Sequence, residues 1–179
     1  MNTRKFLCIP MALLLACASC GNNSRQEALD KITKTEDSID IQNTLVDTEV
    51  GMRLIDNYVA FSSQFPEDSL APVFWHRAAQ VAANIHRPDL AVVYLDTIIG
   101  QYADYKQLAE CYFYKGFVLE NVAQDYDNAK IAYQAFVDKY PNDPLAKDAK
   151  VLIENLGLSP EELLAKILQN ADTSTLANK

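Results

Sequence analysis

Two histidines and one internal cysteine are the side chains of this sequence best suited to catalysis or metal binding. His76 and His86 stand ten positions apart, so on a helix they do not share a face at the three- or four-residue spacing of neighbours. Cys111 lies in an apolar helical segment, where a lone cysteine is usually a small core residue. The sequence also has no phosphate-binding loop, dinucleotide-binding loop, nucleophile elbow or zinc-protease motif. It therefore predicts no catalytic residue, no metal site, no cofactor and no enzyme activity.

The first 19 residues have the order of a cleaved secretion signal. Arg4 and Lys5 precede an apolar run from Phe6 to Ala16, and small residues follow it. The apolar run is shorter than the roughly 20 residues with which a helix crosses a bilayer. A signal peptide is therefore favoured over a transmembrane anchor.

A cysteine ends this segment in a pattern that resembles the lipobox of bacterial lipoproteins. Positions 18–21 read Ala-Ser-Cys-Gly, with two small residues before the cysteine and a polar run after it. The resemblance implies lipidation of Cys20, and Cys17, which follows Leu-Leu-Ala, is an alternative. An ordinary signal peptide with a chance cysteine is the other alternative. Cleavage before Cys20 would leave Cys111 as the free thiol, so no disulfide within the chain is expected.

The charge of the chain narrows the classes of partner. There are 16 basic and 24 acidic side chains, a formal net charge of −8. Nucleic-acid binding needs clustered Lys and Arg to replace counterions, and adsorption to anionic lipid needs basic segments. We therefore expect no nucleic acid as a partner, and membrane contact through the N-terminal lipid only.

A repeat of 37 and then 38 residues runs through the middle of the chain. Phe65, Tyr102 and Tyr140 each begin a short turn segment at this spacing. Before the second and third turns, apolar residues recur at offsets 0, 3, 4, 7, 8 and 11, which places them on one face of a helix. The intervening segments around Trp75 and Gly116 have wider apolar coverage, as a helix packed on two sides requires. The pattern predicts helices in antiparallel pairs and no β-strand.

The repeat resembles the tetratricopeptide repeat (TPR), whose pattern sets an aromatic residue, a glycine, an alanine, an aromatic residue and a proline at fixed intervals. The residues that carry the resemblance are Trp75, Ala91, Leu95, Tyr102, Gly116, Ala129, Tyr133, Tyr140 and Pro141. The period is longer than the usual 34 residues, and Ala103 replaces an expected proline. The resemblance implies an all-α solenoid of about seven helices in antiparallel pairs, wound as a right-handed superhelix.

Four segments follow from these patterns. They are a lipoprotein signal peptide over residues 1–19, a polar tether over residues 20–43, a TPR-like helical repeat domain over residues 44–170 and a disordered tail over residues 171–179. The tether has few large apolar groups with which to order itself, and a partly helical extension is the alternative. The last helix, from about Pro160, is expected to turn four apolar side chains inward: Leu163, Leu164, Ile167 and Leu168.

In TPR relatives, the first helix of each pair contributes to the concave face that holds the ligand. The corresponding candidates for a protein-binding groove are His76, Gln80, Asn84, Tyr114 and Asn121. The two resemblances together imply a lipid-anchored scaffold or adaptor of the Gram-negative cell envelope, on the outer membrane and facing the periplasm. Its expected partner is an envelope protein or peptide. A small-ligand binding protein and an accessory protein of peptidoglycan or glycan metabolism are the alternatives.

Overall fold

The structure is a computed structural model of the 179-residue chain, and it describes residues 16–38 and 47–176. Within these residues it contains eight α-helices and no β-strand, which confirms the all-α prediction. The helices are α1 (Ala16–Glu36), α2 (Thr48–Gln64), α3 (Ala71–Asn84), α4 (Pro88–Gln101), α5 (Leu108–Asn121), α6 (Tyr126–Lys139), α7 (Ala146–Asn155) and α8 (Pro160–Leu176). The predicted count of about seven did not include α1.

The helices pack in sequence order, each against the helices before and after it, from α1 to α7. Short turns join them, and helices joined by short turns lie antiparallel. Such local packing produces a stack of helix pairs in which each unit contacts its neighbours. The solenoid predicted from the repeat is therefore confirmed.

The apolar face predicted from the repeat forms the core of the stack. Ala91, Leu95 and Ile98 in α4 are fully buried, as are Tyr133 and Phe136 at corresponding positions in α6. Their offsets place them on one helix face, and that face meets the flanking helices. Cys111 is buried in the same core, so the prediction that it is a small core residue is confirmed.

Three turns repeat one hydrogen-bonding pattern. The N–H groups of Phe65, Tyr102 and Tyr140 end their helices by donating to the carbonyl four residues earlier, at 2.8–2.9 Å. In the first and third turns, Asp68 and Asp143 follow three residues later, and each accepts the N–H two residues ahead at 2.9 Å. The middle turn has Tyr105 at this position. Its side chain makes different contacts.

Helix α1 occupies most of the segment for which the sequence predicted a polar tether. Ile32 is 2 % exposed and packs in a cluster with residues of α2 and α3. Arg25 pairs with Asp68 at 2.6 Å, and Glu36 accepts from Tyr58 at 2.5 Å. These contacts make α1 the first helix of the α1–α2 pair. Most of the predicted signal peptide, residues 1–15, and residues 39–46 of the predicted tether and repeat domain lie outside the described residues.

Helix α8 differs from the prediction in the direction of its apolar face. Leu163, Leu164, Ile167 and Leu168 are 37–58 % exposed, so the prediction that they turn inward is wrong. None of the three apolar clusters of the described residues includes a residue of α8, because no further helix covers it there. The helix also continues to Leu176, into the segment predicted as a disordered tail.

Candidate functional site

Helices α3 and α5 bring together three of the five residues predicted to line a groove. The ring of His76 on α3 lies 6.3 Å from the ring of Tyr114 on α5, measured between centroids. Gln80, one turn after His76, is exposed and its amide nitrogen lies 3.5 Å from the imidazole. Asn84 is exposed on the last turn of α3 and makes none of these contacts. Asn121 lies at the end of α5 and joins the site through its own helix.

A chain of hydrogen bonds runs through this site from Gln80 to Glu110. Tyr105 Oη donates to Gln107 Oε1 at 2.7 Å, so this hydroxyl oxygen accepts from His76 Nδ1 at 3.3 Å. His76 Nε2 is then the acceptor for the Gln80 amide, a tautomer assigned from the network rather than observed. Gln107 Nε2 in turn donates to Glu110 Oε2 at 3.1 Å. Each group in this series of hydrogen bonds therefore donates in the direction of the Glu110 carboxylate.

Burial keeps the centre of this chain neutral. His76 is only 3 % exposed, and this burial lowers its pKa, while the nearby Glu110 carboxylate acts in the opposite direction. Burial raises the pKa of Tyr105 to about 12, with smaller contributions from Cys111 and Glu110. Because the imidazole is buried, it cannot itself meet a partner. It supports Tyr105 and Gln80, which lie nearer the surface.

Two aromatic rings, of which Tyr114 is half-buried and Phe117 is exposed, form the part of the site on α5. The rings of Tyr114 and Phe117 stack at 5.8 Å between centroids and 13° between planes. Phe117 is 41 % exposed, and its carbonyl accepts from the Asn121 amide at 3.1 Å. Phe117 was not predicted as a site residue, although its position three residues after Tyr114 and four before Asn121 places it on the same helix face.

A cleft of about 700 Å³ lies beside the site, between the α2–α3 turn and the α4–α5 turn. Tyr105 and Gln107, which belong to the hydrogen-bond chain, form part of its wall. Its lining also includes the exposed side chains of Glu67, Asp104 and Lys106. Tyr105 was not predicted, because the residue lies in a turn, where the other two turns have an aspartate.

The residues that carry the repeat pattern lie mainly between helices. Gly116 on α5 faces the ring of Tyr133 on α6, and a Cβ at this glycine would lie 2.5 Å from the ring carbon Cδ1. Trp75 packs on Tyr94 at 5.4 Å between centroids, and Ala129 is fully buried. The small residues among them, Gly116 and Ala129, allow the helices to approach closely, and Trp75 packs against the neighbouring helix.

Within the part of the chain that the structure describes, no cluster of three or more potential metal ligands occurs. None of the helices described there combines the length and apolarity needed to span a bilayer. Burial raises the pKa of the Cys111 thiol to about 12, with a further contribution from Glu110, so this thiol is protonated at neutral pH.

The stacked helix pairs and the exposed aromatic surface define a helical-repeat protein. Residues 107–143 match the family model of the tetratricopeptide repeat, and this segment includes α5, α6 and the turn that joins them. Residues 107–143 thus form a tetratricopeptide repeat within the helical stack. Such repeats are typically non-enzymatic scaffolds that bind proteins or peptides. Neither the curated proteins nor the solved structures include a match to this chain.

Proposed function

We propose that this protein is a lipid-anchored scaffold or adaptor that binds an envelope protein or peptide on the exposed face of α3 and α5. The observation that supports this proposal is the stacked pair of the half-buried Tyr114 and the exposed Phe117, held on a rigid helix beside the hydrogen-bond chain that includes the buried His76. Large aromatic side chains are enriched among the residues that dominate binding energy at interfaces. Because these two rings already contact each other, their ordering on binding costs little entropy.

The tetratricopeptide fold supports the same proposal through its geometry. Neighbouring helix pairs extend a common surface built from rigid elements, and such a surface suits a peptide or a partner helix. Gln80 and Asn121 add exposed amide groups on the same two helices, α3 and α5. Amides can donate and accept hydrogen bonds, so they can match the backbone or polar side chains of a partner.

Photo-crosslinking in cells tests the binding surface. A photoreactive amino acid placed at Phe117 is expected to trap a reproducible protein partner, and so is one placed at Gln80. The matched control is Ile131 on α6, which is 67 % exposed but lies in another helix. The proposal is contradicted if the Phe117 and Gln80 positions give no reproducible product, or the same products as Ile131.

The proposed anchor is a lipid on Cys20, with Cys17 as the alternative acceptor, on an outer-membrane protein that faces the periplasm. The lipobox-like sequence at positions 18–21 supports it. Because Arg25 already pairs with Asp68 shortly after Cys20, a lipid there would hold the helical stack close to the membrane. The anchor therefore also restricts where a partner can meet the surface.

Metabolic labelling with a radioactive fatty acid tests the anchor. We expect Cys20→Ala to lose the label and Cys17→Ala to keep it. The reverse result would move the acceptor to Cys17, and retention in both single variants would contradict a single acceptor. Fractionation of the envelope of cells that carry the unaltered chain then tests the assignment to the outer membrane.

A further inference from the structure

We infer that the partner presents an amphipathic helix in which a lysine or arginine lies two turns from a large apolar side chain. The cation would pair with Glu110, and the apolar side chain would cover Phe117 and Tyr114. This inference rests on the proposed function, because it names the chemistry of the partner for the same surface.

The spacing of four residues on one face of α5 favours a helical partner. Glu110, Tyr114, Phe117 and Asn121 follow one another at intervals of four, three and four residues, which places them on one helix face. Glu110 and Phe117 are seven residues apart, or about 10 Å along the axis at 1.5 Å per residue. A partner helix alongside repeats this distance on one face after seven residues. In an extended peptide, two residues about three positions apart span the same distance, but their side chains point to opposite sides of the strand. They cannot both face α5.

The charges around this face favour a cation. Glu110 accepts one hydrogen bond from Gln107, and among the described residues no basic side chain forms an ion pair with it. The adjoining cleft has two exposed acids, Glu67 and Asp104, against Lys106. None of these three forms an ion pair among the described residues. The surface is therefore complementary to a basic partner, and an acidic one would meet like charges.

The hydrogen-bond chain gives Glu110 a defined position. Its oxygen is bound by Gln107, whose amide oxygen is held by Tyr105, which is held in turn by the buried His76. A carboxylate positioned in advance loses less side-chain freedom when it pairs. An exposed ion pair contributes little affinity by itself. We therefore expect the rings to supply most of the affinity and Glu110 to select the sign of the charge.

Three synthetic helices serve as probes for the full chain. Each is alanine-rich and roughly 18 residues long, above the length at which isolated helices are marginal. The first has one lysine and one phenylalanine seven positions apart. The second replaces the lysine with glutamate, and the third moves the lysine to a spacing of five, on another side of the helix. Fluorescence anisotropy of the labelled peptides gives the dissociation constants.

The variants of the protein are Glu110→Lys and Phe117→Ala. The matched controls make similar changes on α6, as Asp127→Lys and Ile131→Ala, at exposed positions. We expect the first peptide to bind at least about tenfold more tightly than the other two. Both test variants should lose about that factor, while the controls change less than about twofold. Glu110→Lys should also bind the glutamate peptide better than the unaltered chain does.

Several outcomes would overturn the inference, and they separate it from the proposed function. Equal affinity for the lysine and glutamate peptides, or equal losses in the controls, would overturn the selection of a cation. If Phe117→Ala weakens all three peptides while Glu110→Lys changes none, the binding surface stands and the basic partner does not. If no peptide binds and Phe117 traps no partner in cells, both proposals fail.

Discussion

The two ends of the helical stack differ in a way that their sequences do not suggest. The N-terminal helix, α1, is largely polar, yet Ile32 is buried, Arg25 pairs with Asp68 in the α2–α3 turn and Glu36 pairs with Arg77 on α3. The C-terminal helix, α8, has an apolar face whose large side chains, Leu164 among them, are exposed. Docking of a terminal helix therefore depends on the side chains with which the neighbouring helices can pair and pack. The apolar content of the helix itself does not decide it.

The neighbours explain the difference in physical terms. Helices α2 and α3 present Tyr58 and Arg77 to Glu36, at 2.5 and 2.9 Å, so polar side chains of α1 find partners when they leave water. Before α8, Gly157 adopts a left-handed conformation with φ of 74°, which directs the chain into a new helix. Lys166 still bonds to Asn155 at the end of α7. The apolar face remains exposed.

The largest expected effect distinguishes two isoleucines in similar helices. Ile32→Ala in α1 should reduce the free energy of unfolding by about 2–4 kcal/mol. The change leaves a cavity in the cluster that Ile32 forms with residues of α2 and α3. Ile167→Ala in α8 should change it by less than about 0.5 kcal/mol, since Ile167 is 56 % exposed. Urea unfolding followed by circular dichroism measures both. Similar losses would show that the two ends are held alike.

The second largest effect is expected at Gly116, and Gly100, also in a helix of the stack, provides the comparison. Gly116→Ala should reduce stability by about 1–3 kcal/mol, because the added methyl group meets the ring of Tyr133 and overpacks the α5–α6 contact. Gly100→Ala in α4 is the control, since nothing lies within 4 Å of its Cβ position. It should raise stability by up to about 1 kcal/mol through helix propensity. Thermal unfolding of both variants checks the opposite signs.

The third prediction concerns the pH dependence of the docking of α1 at the N-terminal end. The hydrogen bond from Arg25 lowers the pKa of Asp68, so this carboxylate stabilises the docking of α1 fully above its unfolded pKa of about 3.9. That contribution is lost as pH falls through the lower folded value. The protection of α1 amides against hydrogen exchange, relative to their intrinsic rate at each pH, should therefore fall at acid pH more in the unaltered chain than in Arg25→Met. An equal loss of protection in both would remove the ion pair as the cause.

The smallest effect concerns the helix caps at the two ends. Asp47 Oδ1 accepts the N–H groups of Glu49 and Val50 at the start of α2, and Ser159 and Glu162 form a reciprocal cap on α8. Asp47→Ala should lower the unfolding midpoint, consistent with a cap contribution of about 1 kcal/mol. Ser159→Ala should leave that midpoint unchanged and reduce only the helix content of α8. A shift of the midpoint by Ser159→Ala would show that α8 is coupled to the stack.

The sequence predicted well wherever a pattern is local and repeated. The offsets that include Ala91, Leu95, Ala129 and Tyr133 predicted the buried face of two helices, and those residues are buried. The reciprocal cap of Ser159 and Glu162, three residues apart, is local in the same way. These features depend on intervals within one helix, which the chain order contains directly.

The candidate site was predicted only in part. His76, Gln80 and Tyr114 do lie together, but His76 is buried beneath the surface on which it was expected. Tyr105 and Phe117 were missed. Tyr105 acts through contacts across the two helices α3 and α5, and such contacts have no fixed sequence interval.

By itself, the amino-acid sequence determined the helices, their pairing and the apolar faces between them, because helical periodicity and turn residues act over a few positions. Only the tertiary structure decided that polar α1 docks, that apolar α8 stays exposed and that a hydrogen-bond chain links Gln80 to Glu110. Each of these depends on side chains from different helices meeting in space. Their complementarity is a property of the packed pair and cannot be read from either helix alone.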